Sequence, residues 1–140
     1  MMDESEFISL MTGKPWINRG DSTDGADCYG LVKLHNELVQ GKTLPVVTGY
    51  KEGFKFDSLW RKEINKTWWQ VGKWQQGAMV TFYDNAHNPV HVGICVGNQQ
   101  ILHSPGTEEK PGKVSIHKLA TLMGSGAYKN ATFHKVVKHA

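Results

Sequence analysis

The sequence predicts an α+β fold, with helices in the first half of the chain and an antiparallel sheet in the second. Two observations carry this. Between residues 28 and 39, Cys28, Leu31, Val32, Leu34, His35, Leu38 and Val39 recur at three- and four-residue steps, and Gly41 stands where a helix-ending glycine belongs. After residue 76 the period becomes that of strands: Ala78–Tyr83, Val90–Gly97 and Gln100–His103 are apolar-rich runs separated by turn-forming residues. Helices followed by a strand meander argue for antiparallel pairing rather than alternating βαβ units.

Taken in order, residues 3–11 form a short helix closed by Gly13-Lys14-Pro15-Trp16, and Trp16 to Gly25 reads as loop. The main helix covers 27–40, with Asp24 or Asp27 as its N-cap. Residues 43–47 read as extended, and a short helix opened by Asp57 or Ser58 falls within 56–64. Trp60, Trp68, Trp69 and Trp74 then crowd one segment, either covering the sheet or forming a docking surface. A fourth strand is expected at 113–116, a short helix at 117–123 and a last strand at 131–137. No repeat, low-complexity run or linker divides the chain, so one domain over 1–140 is expected.

Composition narrows the function classes. A chain of 140 residues is long enough for one substantial core. Its net charge of +3 is too weak for a nucleic-acid partner, and no basic run interleaves with aromatics. No apolar run is long enough for membrane insertion. The opening Met1-Met2-Asp3-Glu4-Ser5-Glu6 is acidic and lacks the parts of a signal peptide, which predicts a protein made in a cytoplasm and staying there unless other machinery carries it out. Two cysteines, Cys28 and Cys95, exclude a disulfide framework but leave single reactive thiols open.

Cys28 stands at the start of the main helix. Unpaired backbone N–H groups and the positive end of the helix dipole favour a thiolate there, and the same groups can hold an oxyanion. A small residue buried at a helix start fits the same pattern. Cys95, inside a strand run, reads as structural.

Of the seven histidines, His91 and His103 fall on neighbouring strands. With Gly97-Asn98 as a two-residue turn, His91 lies opposite residue 104, beside His103. His91, Gly93 and Cys95 share one strand face and the β-branched Val92, Ile94 and Val96 the other. The low-bulk His91–Gly93 face is expected to receive the Cys28 helix. A cysteine, a histidine and a polar group orienting that histidine form a nucleophile–base–orienter set, although two surface or internally satisfied histidines fit the spacing too. No paired metal-ligand spacing is present, so neither a metal nor a cofactor is expected. His35 reads as a helix-face residue, and His87, His117, His134 and His139 as solvated.

Four blocks together resemble the NlpC/P60 cysteine peptidases. Asp27-Cys28-Tyr29-Gly30-Leu31-Val32 is similar to their D-C-S-G-L/F-V, and Gly77-Ala78-Met79-Val80-Thr81-Phe82 to G-D-L-V-F-F. His91-Val92-Gly93-Ile94-Cys95-Val96-Gly97-Asn98 is similar to H-V-G-I-Y-V-G-N, and Ile101-Leu102-His103-Ser104 to the segment with the third catalytic position. The blocks occur in family order within residues 15–104. The resemblance implies a papain-like α+β fold and hydrolysis of stem peptides in bacterial peptidoglycan. By carry-over, Cys28 is the nucleophile, His91 the base and His103 the orienter, with Trp16, Asp27 and Tyr29 around the oxyanion and substrate.

Three positions depart from the family pattern. Tyr29 replaces a serine, Ala78 replaces an acid, and Trp16 stands where many members carry a tyrosine; an indole can donate a hydrogen bond but cannot accept one. The D-C-Y-G-L-V form resembles phage-encoded tail-assembly and tail-tip members, which implies synthesis in the host bacterial cytoplasm, tail proteins as partners and delivery with the virion tail or the lysis machinery. Two alternatives stay open: a tail structural protein that keeps the fold with little activity, and a related thiol amidase or acyltransferase. The permuted acyltransferase relatives place histidine before cysteine, unlike this chain.

Overall fold

The computed structural model describes residues 1–44, 68–86, 88–126 and 128–136. The extended run expected at 45–47, the helix expected within 56–64, Trp60, the Trp69 side chain, His87 and His139 lie outside the described residues.

The first helix, α1 (Glu4–Met11), starts where the Asp3 carboxylate accepts the Glu6 N–H at 2.9 Å, and it buries Phe7 and Met11. A two-residue hairpin, β1 (Asp21–Ser22) with β2 (Gly25–Ala26), leads into α2 (Cys28–Leu38). The remaining strands are β3 (Trp68–Val71), β4 (Met79–Tyr83), β5 (Pro89–Val96), β6 (Gln100–His103), β7 (Ser115–Lys118) and β8 (Asn130–Val136). A short helix, α3 (Leu119–Gly124), follows β7. The six strands form one antiparallel sheet in the order β3-β8-β4-β5-β6-β7. The α+β class and the antiparallel sheet are those the sequence predicts.

Both faces of the sheet are covered, which is why all of β5 is buried. On one face, Leu31, Val32 and Leu34 of α2 and Phe7 and Met11 of α1 pack with Val92, Ile94, Val96 and Leu102. On the other, Leu122 of α3 packs with Val80, Phe82, Cys95 and Ile101. The main helix therefore lies on the β-branched face of β5, not on the His91–Gly93 face expected for it. Burying apolar area decides this: three branched side chains offer α2 far more surface than a glycine does. Trp68, one of the tryptophans considered for docking, is a core residue at 3% exposure, and Trp74 is half-buried.

Two further expectations need correction. Residues 117 and 118 are strand rather than helix, because Ser115–Lys118 pairs along the whole of β6. His134, on β8, is buried rather than solvated, and burial holds it below the usual histidine range.

Glu4 joins α1, α2 and the sheet. Its carboxylate accepts from His35 Nε2 on α2 at 3.3 Å and from Gln76 Nε2 at 2.6 Å. Gln40 Nε2 in turn donates to His35 Nδ1 at 3.4 Å and to the Gly77 carbonyl at 3.2 Å. The hydrogen bond from His35, more than the burial that opposes it, lowers the Glu4 carboxyl below its ordinary value of 4.5. A depressed carboxyl stabilises the fold above its unfolded titration range and loses that contribution as pH falls through the folded value. Glu4→Gln should therefore cost about 1 kcal/mol at neutral pH. Urea unfolding of both proteins should show that difference shrinking toward zero at acid pH.

Candidate active site

Cys28 is the first residue of α2 and is fully buried. Asp27 is the N-cap, and both its oxygens are used: Oδ1 accepts from Gly30 N–H at 2.8 Å and Oδ2 from Arg19 N–H at 2.9 Å. The Arg19 guanidinium lies 3.6 Å from Oδ2, and Asp27 is only 1% exposed. The Asp27 N–H donates to the Gly20 carbonyl at 3.1 Å. That carbonyl lies so close over the first turn of α2 that a Cβ at position 30 would collide with it, so only glycine fits there. The Asp-Cys-x-Gly pattern thus encodes a helix start pinned against the preceding loop.

His91 sits near the start of β5 and His103 ends β6; each is 2% exposed. His91 Nε2 lies 2.8 Å from His103 Nδ1. His103 Nε2 lies 2.8 Å from His117 Nδ1 on β7, so three rings form a row across three adjacent strands. His117 is exposed, but it is hydrogen-bonded to His103 rather than simply solvated. Burial first, then the neighbouring His91 and His117, push His103 down to about 2, so it stays uncharged at any working pH. The His91 ring stacks on Tyr128 at 5.7 Å and on Phe82 at 5.9 Å, which fixes its plane.

The register differs from the expected one. The turn between β5 and β6 is three residues, Gly97–Gln99, with Asn98 and Gln99 at φ 61° and 53°. Ile94 therefore faces Leu102, which places His103 opposite Gly93 and on the same face as His91. A Cβ on Gly93 would come within 2.7 Å of Ile101 Cγ2 and 3.1 Å of His103 Cβ. The low bulk at position 93 makes room for β6 side chains, not for α2.

A hydrogen bond ties the histidines to the cysteine segment. Ser104, next to His103, donates its hydroxyl to the carbonyl of Ala26, two residues before Cys28, at 2.6 Å. Ser104 and His117 are the two residues that sequence reasoning did not assign to the site. The Ser104 position was visible in the fourth block, but its partner is remote in sequence. Strand alternation over 115–118 was the available signal for His117.

Trp16 is 7% exposed, and its backbone N–H donates to the Gly112 carbonyl at 3.0 Å. Its indole N–H is buried with no hydrogen-bond partner among the described residues. Tyr29 is 2% exposed and belongs to the core beneath α2. Cys95 is buried, and that burial pushes its thiol up to about 12, so it is a protonated, inert thiol at neutral pH. Among the described residues no group of three His, Cys, Asp or Glu side chains is arranged to hold a metal ion.

The sequence profile of the NlpC/P60 family matches residues 13–133. The chain belongs to the NlpC/P60 family. Solved NlpC/P60 structures share its fold. The NlpC/P60 domain of the peptidoglycan hydrolase SagA superposes with a TM-score of 0.58 at 19% identity, covering 96% of this chain and 94% of that one. A lipoprotein-like NlpC/P60 protein from Staphylococcus aureus gives 0.61 at 18% identity, covering 96% of this chain and 40% of that one. An NlpC/P60 protein from Bacillus cereus gives 0.58 at 24% identity, covering 91% and 38%. This chain thus spans less than half of the latter two. A search of curated proteins gives no match.

In this NlpC/P60 chain a single change tests the Asp27 cap. Asp27→Ala leaves two N–H donors without their carboxylate, one of them buried, and should cost about 2 kcal/mol. Asp27→Asn keeps one acceptor oxygen and should cost less. Urea unfolding measures both; equal stability of Asp27→Ala and the parent would show that the cap does not hold the helix start.

Proposed function

We propose that this chain is a cysteine peptidase that cleaves stem peptides of bacterial peptidoglycan, with Cys28 as nucleophile, His91 as general base and His103 as the group that orients His91. The observation that carries this reading is the 2.8 Å His91–His103 bond between buried rings, tied to the cysteine segment through Ser104 and Ala26. Nε2 of His91 is committed to His103, so proton exchange falls to Nδ1. His91 takes the Cys28 proton, and the thiolate attacks the scissile carbonyl. Backbone N–H groups at the start of α2 hold the oxyanion. The cap already occupies the N–H of Gly30, and the Asp27 carbonyl that of Leu31, which assigns this role to the residues before them. His91 then protonates the leaving amine and water releases the acyl-enzyme. Trp16 supplies a buried donor next to Pro15, whose carbonyl accepts from the Ala26 N–H, and Asp27 acts by holding the helix start rather than by touching substrate.

Peptidoglycan as substrate is supported by family membership and by the likeness to the SagA domain, itself a peptidoglycan hydrolase. The D-C-Y-G-L-V form of the nucleophile block favours a phage-encoded member, delivered with the virion tail and acting on the wall.

Digestion of purified sacculi, with products identified by mass spectrometry, tests this. The parent protein should release stem-peptide fragments, and Cys28→Ala should release none. His91→Gln should be about as inactive as Cys28→Ala, because an amide cannot exchange the proton. His103→Asn should retain activity within roughly ten- to a hundredfold, the worth of an orienting hydrogen bond. Intact sacculi at high protein excess would favour a tail structural protein instead. An active His91→Gln beside a dead His103→Asn would reverse the two roles.

A further inference from the structure

We propose that His117 is a positioning residue of the same reaction: through His103 it decides which ring nitrogen of His91 carries the proton. This rests on the reading of His91 as the base. The proposal stands on the two 2.8 Å nitrogen–nitrogen contacts that link the three rings in one row.

Each of those contacts needs one proton between its nitrogens, and a neutral His103 has a single N–H to share between two neighbours. Only two arrangements satisfy both bonds. In the first, His103 Nε2–H donates to His117 Nδ1, and His103 Nδ1 accepts from His91 Nε2–H. A neutral His91 then has its lone pair on Nδ1 and can accept the thiol proton. In the second, every donor is reversed. His117 Nδ1–H donates to His103, His103 Nδ1–H donates to His91 Nε2, and a neutral His91 carries its proton on Nδ1. That tautomer cannot act as the base.

His117 selects between them. With its own proton on Nε2 it accepts at Nδ1 and enforces the first arrangement. Protonated on both nitrogens it can only donate, which enforces the second. The same logic makes charge on His91 and on His117 mutually exclusive while both bonds persist, because His103 cannot accept at both nitrogens and keep its proton. The coupling is reciprocal, so forming the His91 imidazolium during catalysis also holds His117 neutral.

Among the described residues, the strand and helix packed on β7 bring no Asp, Glu, Lys or Arg side chain to His117. β6, which pairs with β7, carries one ionisable side chain, His103, and α3, which packs on β7, carries none. On β7 itself the neighbouring Lys118 is turned to the opposite face. His117 is exposed, whereas His91 and His103 are buried.

The test is two-bond proton–nitrogen NMR of the full chain labelled with ¹⁵N-histidine, which reads the proton on each ring nitrogen across pH, beside the pH profile of sacculus digestion. In the parent protein, His91 should hold its proton on Nε2 while His117 carries a single proton on Nε2, and the Nδ1–H form should take over as His117 becomes protonated on both nitrogens. His117→Asn has both an acceptor oxygen and an NH2 donor, and neither changes protonation with pH. It should hold the His91 tautomer ratio constant across pH and remove the share of the acid limb of activity that the His117 proton sets. His117→Phe removes the acceptor and should let His91 populate both forms; if it fails to fold, His117→Asn still decides. A His91 tautomer that ignores the His117 titration, or that changes identically in His117→Asn, overturns the proposal. The spectra read the row whether or not sacculi are cleaved. Inert sacculi with coupled tautomers would therefore reject the hydrolase reading and support the histidine coupling, and cleaved sacculi with uncoupled tautomers would do the reverse.

Discussion

The register of β5 against β6 is the constraint on which the site depends. Ile94 faces Leu102, and from that one pairing His91 and His103 fall on the same side of the sheet, close enough for a 2.8 Å contact. A slip of one residue would turn His103 to the face covered by α2 and leave His91 without its neighbour. The register is held at one end by the three-residue turn at Gly97–Gln99 and along its length by the branched residues that α2 must cover. The same sheet then extends the contact one strand further, because β7 pairs with β6 and presents His117 beside His103.

The other half of the site is a helix start that cannot drift. Asp27 closes the first turn of α2, reaches back to Arg19, and places the Gly20 carbonyl where only a glycine at position 30 is tolerated. Ser104 joins this half to the histidine half through Ala26. A nucleophile and a base must be held together within a few tenths of an ångström to act as a unit. Short-range capping on one side, strand pairing on the other and one hydroxyl between them hold the cysteine segment and the histidine row in place.

Much of this was legible in the sequence, because it is local. The apolar steps from Cys28 to Val39 announce α2, Asp24 and Asp27 are the two candidates for its cap, of which Asp27 fills the role, and the alternation in residues 78–103 announces three strands. What the sequence concealed depends on contacts between distant residues. Asn98 and Gln99 adopt left-handed backbone without being glycine, so the turn reads one residue too short. The face of β5 that meets α2 follows from which side buries more apolar area, and a glycine beside a histidine can signal room for a helix or for a neighbouring strand. His117 lies in a stretch whose residues suit a helix as well as a strand, and only pairing with β6 settles it as strand. His134 looks solvated near the chain end until β8 is seen between β3 and β4.

If Cys28 and His91 act as one proton-sharing pair, the thiol reveals it without any substrate. The rate of iodoacetamide alkylation at each cysteine, located by mass spectrometry and followed across pH, reports thiolate character residue by residue. Cys28 should label fast at pH 7, slowed about tenfold or more by His91→Gln, and Cys95, whose thiol is pushed up to about 12, should label far more slowly. Labelling of Cys28 at the same rate with and without His91, or no faster than that of Cys95, would contradict that pairing.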